Sequence, residues 1–145
     1  MNTSDPGAGS SGGAAHRVIE LSTAECWSLL RGSHVGRLAW TTTGGPVVVP
    51  VNLVLDGRSV RIRTSAHSEM VGKVDDERVA VQVDAFDELR RSGWSVLARG
   101  VARVRYDDVD GPEPDLWPTD PRPALVVVTI DELTGRKLVS AAPGG

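Results

Sequence analysis

Pro46-Val47-Val48-Val49-Pro50-Val51-Asn52-Leu53-Val54-Leu55, then Asp56-Gly57, then Val60-Arg61-Ile62-Arg63-Thr64-Ser65 is the stretch that decides the fold. Two runs rich in β-branched residues flank an Asp-Gly pair, and both residues of such a pair tolerate the positive φ of a tight hairpin turn. The stretch therefore reads as a β-hairpin. Alternation on its second arm sets Val60, Ile62 and Thr64 on one face and Arg61, Arg63 and Ser65 on the other. Pro50 removes a ladder donor from the first arm, which places that arm at a sheet edge or a bulge. Just downstream, Ser65 or Ser68 caps a short helix whose apolar stripe is Met70, Val71 and Val74. Asp75, Asp76 and Glu77 oppose the dipole at its C-terminal end and keep it short. Hydroxyls and arginines running into a helix start are the chemistry of an anion site. A solvated face is the competing reading of Arg61 and Arg63.

Upstream of the hairpin, Ser22-Thr23-Ala24-Glu25 is a capping box, with Ser22 as N-cap and Glu25 at the third helical position. Cys26, Trp27, Leu29 and Leu30 share one face of that helix, and Gly32 is its stop. His34 to Thr41 alternates as a strand. Downstream, Arg78 to Asp84 reads as a strand, Ala85 to Ser92 as a charged loop, and Gly93 to Tyr106 as the longest strand, with a bulge or bend at Gly100. Asp107 to Pro123 is proline-rich and reads as an extended loop anchored by Trp117; its length marks it as a candidate functional segment. Leu125 to Ile130 is a buried strand, Asp131 to Gly135 a turn, and Arg136 to Ser140 a last short strand. The sum is a mainly β fold, six to seven antiparallel strands closing into a barrel that leaves few open edges, with two short helices.

The chain has 145 residues, enough for one domain. A Gly/Ser/Ala-rich opening predicts a disordered tail over residues 1–17, a folded domain over 18–140 and a disordered end over 141–145. A net charge of −3, without basic residues interleaved with aromatics, argues against a nucleic-acid or membrane partner. The single cysteine, Cys26, excludes an intrachain disulfide, and with no signal-like leader this favours the cytoplasm. His16, His34 and His67 are scattered, so no metal site is expected. No Gly-x-Gly-x-x-Gly follows a predicted strand and no Walker Gly-Lys-Ser/Thr run occurs, which argues against Rossmann and P-loop chemistry.

Several stretches together resemble the pyridoxamine 5'-phosphate oxidase-like family of flavin-binding split barrels. They are Leu21-Ser22 with Glu25-Cys26-Trp27 and Leu29-Leu30, Val35-Gly36-Arg37-Leu38, Pro50-Val51-Asn52, Ile62-Arg63-Thr64, Trp94-Ser95-Val96 with Arg99-Gly100, and Thr134-Gly135-Arg136. The resemblance implies a six- to seven-stranded antiparallel split β-barrel that forms a homodimer, with two cofactor sites at the subunit interface. It implies FMN as cofactor, with the deazaflavin coenzyme F-420 as alternative and haem behind both, and a small-molecule substrate for an oxidoreductase. By the same resemblance Val51 and Asn52 lie along the isoalloxazine ring, and Arg63, Thr64 and Ser68 hold the phosphate, with Ser65 beside them. Ser95 approaches the flavin from the other subunit, and Trp117 and Arg136 are rim candidates. One position departs from the family pattern. Glu69 follows Ser68 where FMN-binding members carry a basic residue, and Lys73, one turn on, partly compensates. A non-catalytic barrel that has lost the phosphate site is the alternative that this departure implies.

Overall fold

Asp56 and Gly57 turn the chain as their sequence predicts: Gly57 has φ 61°, and β3 (Gly45–Asp56) returns antiparallel as β4 (Ser59–Ser65), with Leu55 opposite Val60 and Leu53 opposite Ile62. The structure is a computed structural model that describes residues 15–65, 68–106, 111, 112, 114 and 123–141. Around the hairpin stand β1 (Ala15–Glu20), α1 (Thr23–Arg31), β2 (Val35–Thr42), α2 (Glu69–Val74), β5 (Arg78–Asp87), β6 (Ser92–Arg105) and β7 (Pro123–Ala141). All strand pairs are antiparallel, in the order β1-β7-β4-β3-β2-β5-β6, and β6 also pairs with β7. That last pairing closes six strands into a ring. β1 joins β7 beyond the end of β4, opposite residues 136–141. The architecture is a mainly β split barrel with two helices among the described residues. Neither helix is long and apolar enough to cross a membrane.

Alternation fills the barrel. Leu38, Leu53, Val60, Ile62, Val81, Val83, Val96, Val126 and Val128 are fully or almost fully buried. Their neighbours in sequence turn outward, where Arg78 forks onto Asp131 at 2.8 and 2.9 Å. That hydrogen bond holds the Asp131 carboxyl below its ordinary range. α1 lies against β7, β3 and β6, with Cys26 and Leu30 buried. Its capping box forms as predicted: Glu25 N–H donates to Ser22 Oγ and Ser22 N–H donates to Glu25 Oε1, each at 3.1 Å. Burial pushes the Cys26 thiol up.

Pro50 is accommodated because β4 pairs with β3 over Leu53–Asp56 alone. At Pro50 β3 has one partner, β2, and is locally an edge.

Three boundaries differ from the sequence reading. Residues 131–135 are not a turn: β7 runs unbroken for 19 residues, because β6 supplies a pairing partner along most of its length. The irregularity is a bulge. Arg99 faces Glu132 and Gly100 faces Ile130, leaving Asp131 as the extra residue, pinned by Arg78. At Gly100 the partner backbone comes so close that a Cβ would stand 1.9 Å from the Thr129 carbonyl oxygen. Second, β5 continues to Asp87, so the charged segment from Ala85 is the end of a β5–β6 hairpin. Third, the outer pair of strands reaches Ala15 and Ala141, which extends the folded part beyond 18–140 at both ends. Residues 1–14 and 142–145, Trp117, His67 and most of the 107–123 segment lie outside the described residues.

Candidate functional site

The end of β4 carries three hydroxyls into α2. Ser68, in extended conformation, is the N-cap that the sequence offered as one of two choices, and its Oγ accepts from Val71 N–H at 3.4 Å. Ser68 N–H donates to the Ser65 carbonyl at 3.0 Å, closing the turn. Thr64 Oγ1 donates to Ser68 Oγ at 3.3 Å. Thr64, Ser65 and Ser68 are all half-buried and gather at one corner. Met70, Val71 and Val74 are buried and seat the helix on the barrel, whereas Glu69 and Lys73 are exposed.

Arg63 belongs to the same strand end but projects from the other face: it pairs across with Leu125, while Thr64 pairs with Ala124. Hydroxyls are donors a phosphate monoester takes, so Thr64, Ser65 and Ser68 suit the phosphate end of a flavin nucleotide, with the Arg63 guanidinium on the other face of the same strand end. The Glu69 carboxylate at the first helical position is the one element that works against it.

Alternation separates the other predicted pair. Val51 is buried and its side chain joins the core, while Asn52 is half-buried on the outward face opposite Val35. Asn52, Arg63 and Ser65 each make a side-chain or electrostatic contact of their own.

Ser95 lies elsewhere. It is opposite Asp84 on β5 and Arg136 on β7, and Arg136 is opposite Glu20 on β1. Ser95, Arg136 and Glu20 border a groove of about 670 Å³ lined also by Gln82, Leu97 and Thr134. Gln82 lines this groove and Asp84 holds its side chain there, two residues that sequence reasoning did not single out. Gln82 Nε2 donates to Asp84 Oδ2 at 2.8 Å, and Arg37 Nη1 donates to Gln82 Oε1 at 3.0 Å. The signal was present: both are polar residues on the outward period of β5, next to Ser95. A second groove, of about 630 Å³, opens at the barrel mouth between α1 and the β5–β6 hairpin and is lined by Leu29, Phe86, Trp94 and Leu138.

The corner and the Ser95 groove lie at different stretches of β7. Thr64 faces Ala124 of β7 and Ser95 faces Arg136, twelve residues further along the same strand. At the rise of an extended strand that is roughly 40 Å of chain.

The family model described as pyridoxamine 5'-phosphate oxidase matches residues 22–137. An uncharacterized protein of Mycobacterium tuberculosis is 35% identical over 147 residues, covering 88% of this chain and 90% of that one. Among solved structures, an FAD binding protein from Mycobacterium smegmatis is 30% identical and superposes with a TM-score of 0.67, covering 83% of this chain and 98% of its own. A conserved protein of unknown function from Corynebacterium diphtheriae is also 30% identical, with a TM-score of 0.66 over 84% of this chain and 98% of that one. With its model matched from Ser22 to Lys137 and the closed ring of strands described above, this chain belongs to the pyridoxamine 5'-phosphate oxidase family.

Proposed function

We propose that the chain is a homodimeric flavin-binding oxidoreductase acting on a small molecule, with its two cofactor sites at the subunit interface. The observation that carries the reading is the β4–α2 corner, where Thr64, Ser65 and Ser68 gather at the strand end that carries Arg63 on its other face. The similar M. smegmatis protein, which binds FAD, supports a flavin. FMN is the smallest ligand that uses the phosphate corner, FAD shares that phosphate, and F-420 is the deazaflavin counterpart. Bound flavin would supply hydride or electron transfer. The chain's own residues bind and orient: Arg63, Thr64 and Ser68 hold the phosphate, and Asn52 offers an outward hydrogen-bonding side chain.

The same geometry supports the dimer. Ser95 on β6 and Arg136 on β7 pair with each other twelve residues along β7 from Ala124 at the corner, an arrangement in which a second copy would bring them to the same ligand. Exposed Val35 and Val48, 64% and 60% accessible on the outer face of β2 and β3, offer apolar surface for that contact.

Purified protein should carry a bound flavin chromophore or bind FMN, FAD or F-420 with micromolar affinity in a fluorescence titration. Failure of all three removes the flavin reading. Light scattering at micromolar concentration should give the mass of two chains, and a monomer would remove the interface sites. Glu69 favours a second reading, a non-catalytic barrel whose phosphate corner is closed by that carboxylate. A flavin-free wild type that gains affinity in Glu69→Lys supports it, and an unresponsive variant counts against it.

A further inference from the structure

Among the described residues Arg61 is the charged side chain that is buried, at 4% exposure. It stands on the outward face of β4, opposite Val54 of β3 and Val127 of β7. Burying a guanidinium is costly unless its N–H groups are satisfied. One partner comes from far along the chain: Nε donates to the Pro112 carbonyl at 2.7 Å. Gly111 lies directly on the guanidinium. A Cβ at Gly111 would stand 3.0 Å from Arg61 Cζ and 3.1 Å from Nη1, and its φ of 135° is one that side chains rarely adopt. Two residues past Pro112, Pro114 is buried. On the same outward face Leu125, opposite Arg63, is fully buried without belonging to the core cluster. The outer surface of the β4–β7 ladder is therefore covered at Arg61 and Leu125, while Thr129 further along it is exposed.

We infer that Arg61 is a positioning residue: it clamps the Gly111–Pro112 backbone onto the outer face of β4, one pleat from Arg63, and so fixes the wall beside the phosphate-binding strand end. The clamp stands on the contacts alone, whereas its effect on ligand binding rests on the flavin reading above. Arg61 would touch no ligand. It holds a segment some fifty positions away in sequence against the strand that presents Arg63 and Thr64.

The test uses the full chain with Arg61→Met, which keeps the length of the side chain and removes its N–H groups, Arg61→Lys, and Gly111→Ala, which attacks the same contact from the other side. Two readouts are taken: amide hydrogen exchange of peptides containing Gly111 in flavin-free protein, and affinity for FMN and FAD. Arg61→Met and Gly111→Ala should each speed exchange about tenfold, the effect of losing one charge-assisted hydrogen bond. Flavin affinity should fall about tenfold in both, with Arg61→Lys between them and wild type, as expected when a single-point ammonium replaces a planar fork. Unchanged exchange in both variants overturns the clamp. Faster exchange with unchanged flavin affinity overturns the positioning role. If wild type binds no flavin, the flavin reading fails by itself and the exchange comparison alone decides the clamp. If Arg61→Met does not fold, Gly111→Ala and Arg61→Lys decide the same question.

Discussion

Thirteen residue pairs join β6 to β7, and four join β3 to β4. In the first region backbone ladders carry the structure, and the side chains alternate cleanly between the core and ion pairs on the surface. In the second the β3–β4 ladder stops at Leu53–Ile62; the end of β4 keeps β7 as its one ladder partner, and side-chain contacts are added around it: Thr64 to Ser68, Ser68 to Val71, Arg61 to Pro112. The two regions share β7, so one strand serves both as frame and as floor of the corner. The difference teaches where a ligand can be met. A ladder leaves no spare donors, whereas a strand end held by hydroxyls and an arginine presents groups that can exchange partners.

Substitutions should separate the two regions. Gly100→Val puts a branched side chain where even a Cβ would stand 1.9 Å from the Thr129 carbonyl. We expect it to disrupt the frame, costing more than about 4 kcal/mol, with no cooperative thermal transition by circular dichroism. Ile62→Ala, fully buried on β4, should cost about 2–5 kcal/mol in a denaturant titration, showing that the corner still depends on the core beneath it. Thr64→Ala and Arg63→Ala should lower flavin affinity about tenfold or more with little change in unfolding midpoint, the mark of a ligand contact. A loss of stability as large as that of Ile62→Ala would make the corner structural and erase the contrast. Ser68→Ala should cost about 1 kcal/mol of stability through the lost cap, and weaken flavin binding as well.

The smallest effect concerns α1, far from the corner. Hydrogen bonds from the Ser22 backbone and hydroxyl, with the backbone contribution larger, hold the Glu25 carboxyl below its ordinary value of 4.5. A carboxyl whose folded pKa is depressed contributes stability above its unfolded value and loses it as pH falls through the folded value. Melting temperatures recorded from pH 6 down to about pH 2.5 should therefore converge for wild type and Glu25→Gln at the acid end, with wild type ahead near neutrality. Parallel curves would show that the capping box does not titrate with folding.

Local chemistry was the part of the fold open to reading in the sequence. Asp56-Gly57 specifies a turn by its own φ preferences, and Ser22 with Glu25 specifies a helix start by reciprocal bonds within four residues. Along β6 the alternation sets Val96, Ala98 and Ala102 inside. Where a distant strand decides, reading failed. Asp131-Glu132-Leu133-Thr134-Gly135 has the composition of a turn, but β6 pairs with it and keeps it extended. Alternation put Arg61 on the outward face correctly, and outward suggested solvated. Its burial depends on Pro112, 51 positions away, a contact no local pattern encodes. For the site, the resemblance named Arg63, Thr64 and Ser68 with Ser65 beside them; Thr64, Ser65 and Ser68 gather at one corner, Arg63 projects from the other face, and Ser95 borders a separate groove. Gln82 and Asp84 escaped because their meaning depends on register with Ser95.

The pairing of Ala15 with Ala141 has a consequence for how the chain can be rewired. The two ends of the described barrel lie side by side on neighbouring strands, so a short Gly/Ser linker could join them without crossing the molecule. New termini could then be opened at the β5–β6 turn, where Leu89 is 97% exposed. Such a circular permutant would keep every strand neighbour while making β6 the first strand and β5 the last. The order in which strands meet during folding would change, and the ring they close would not.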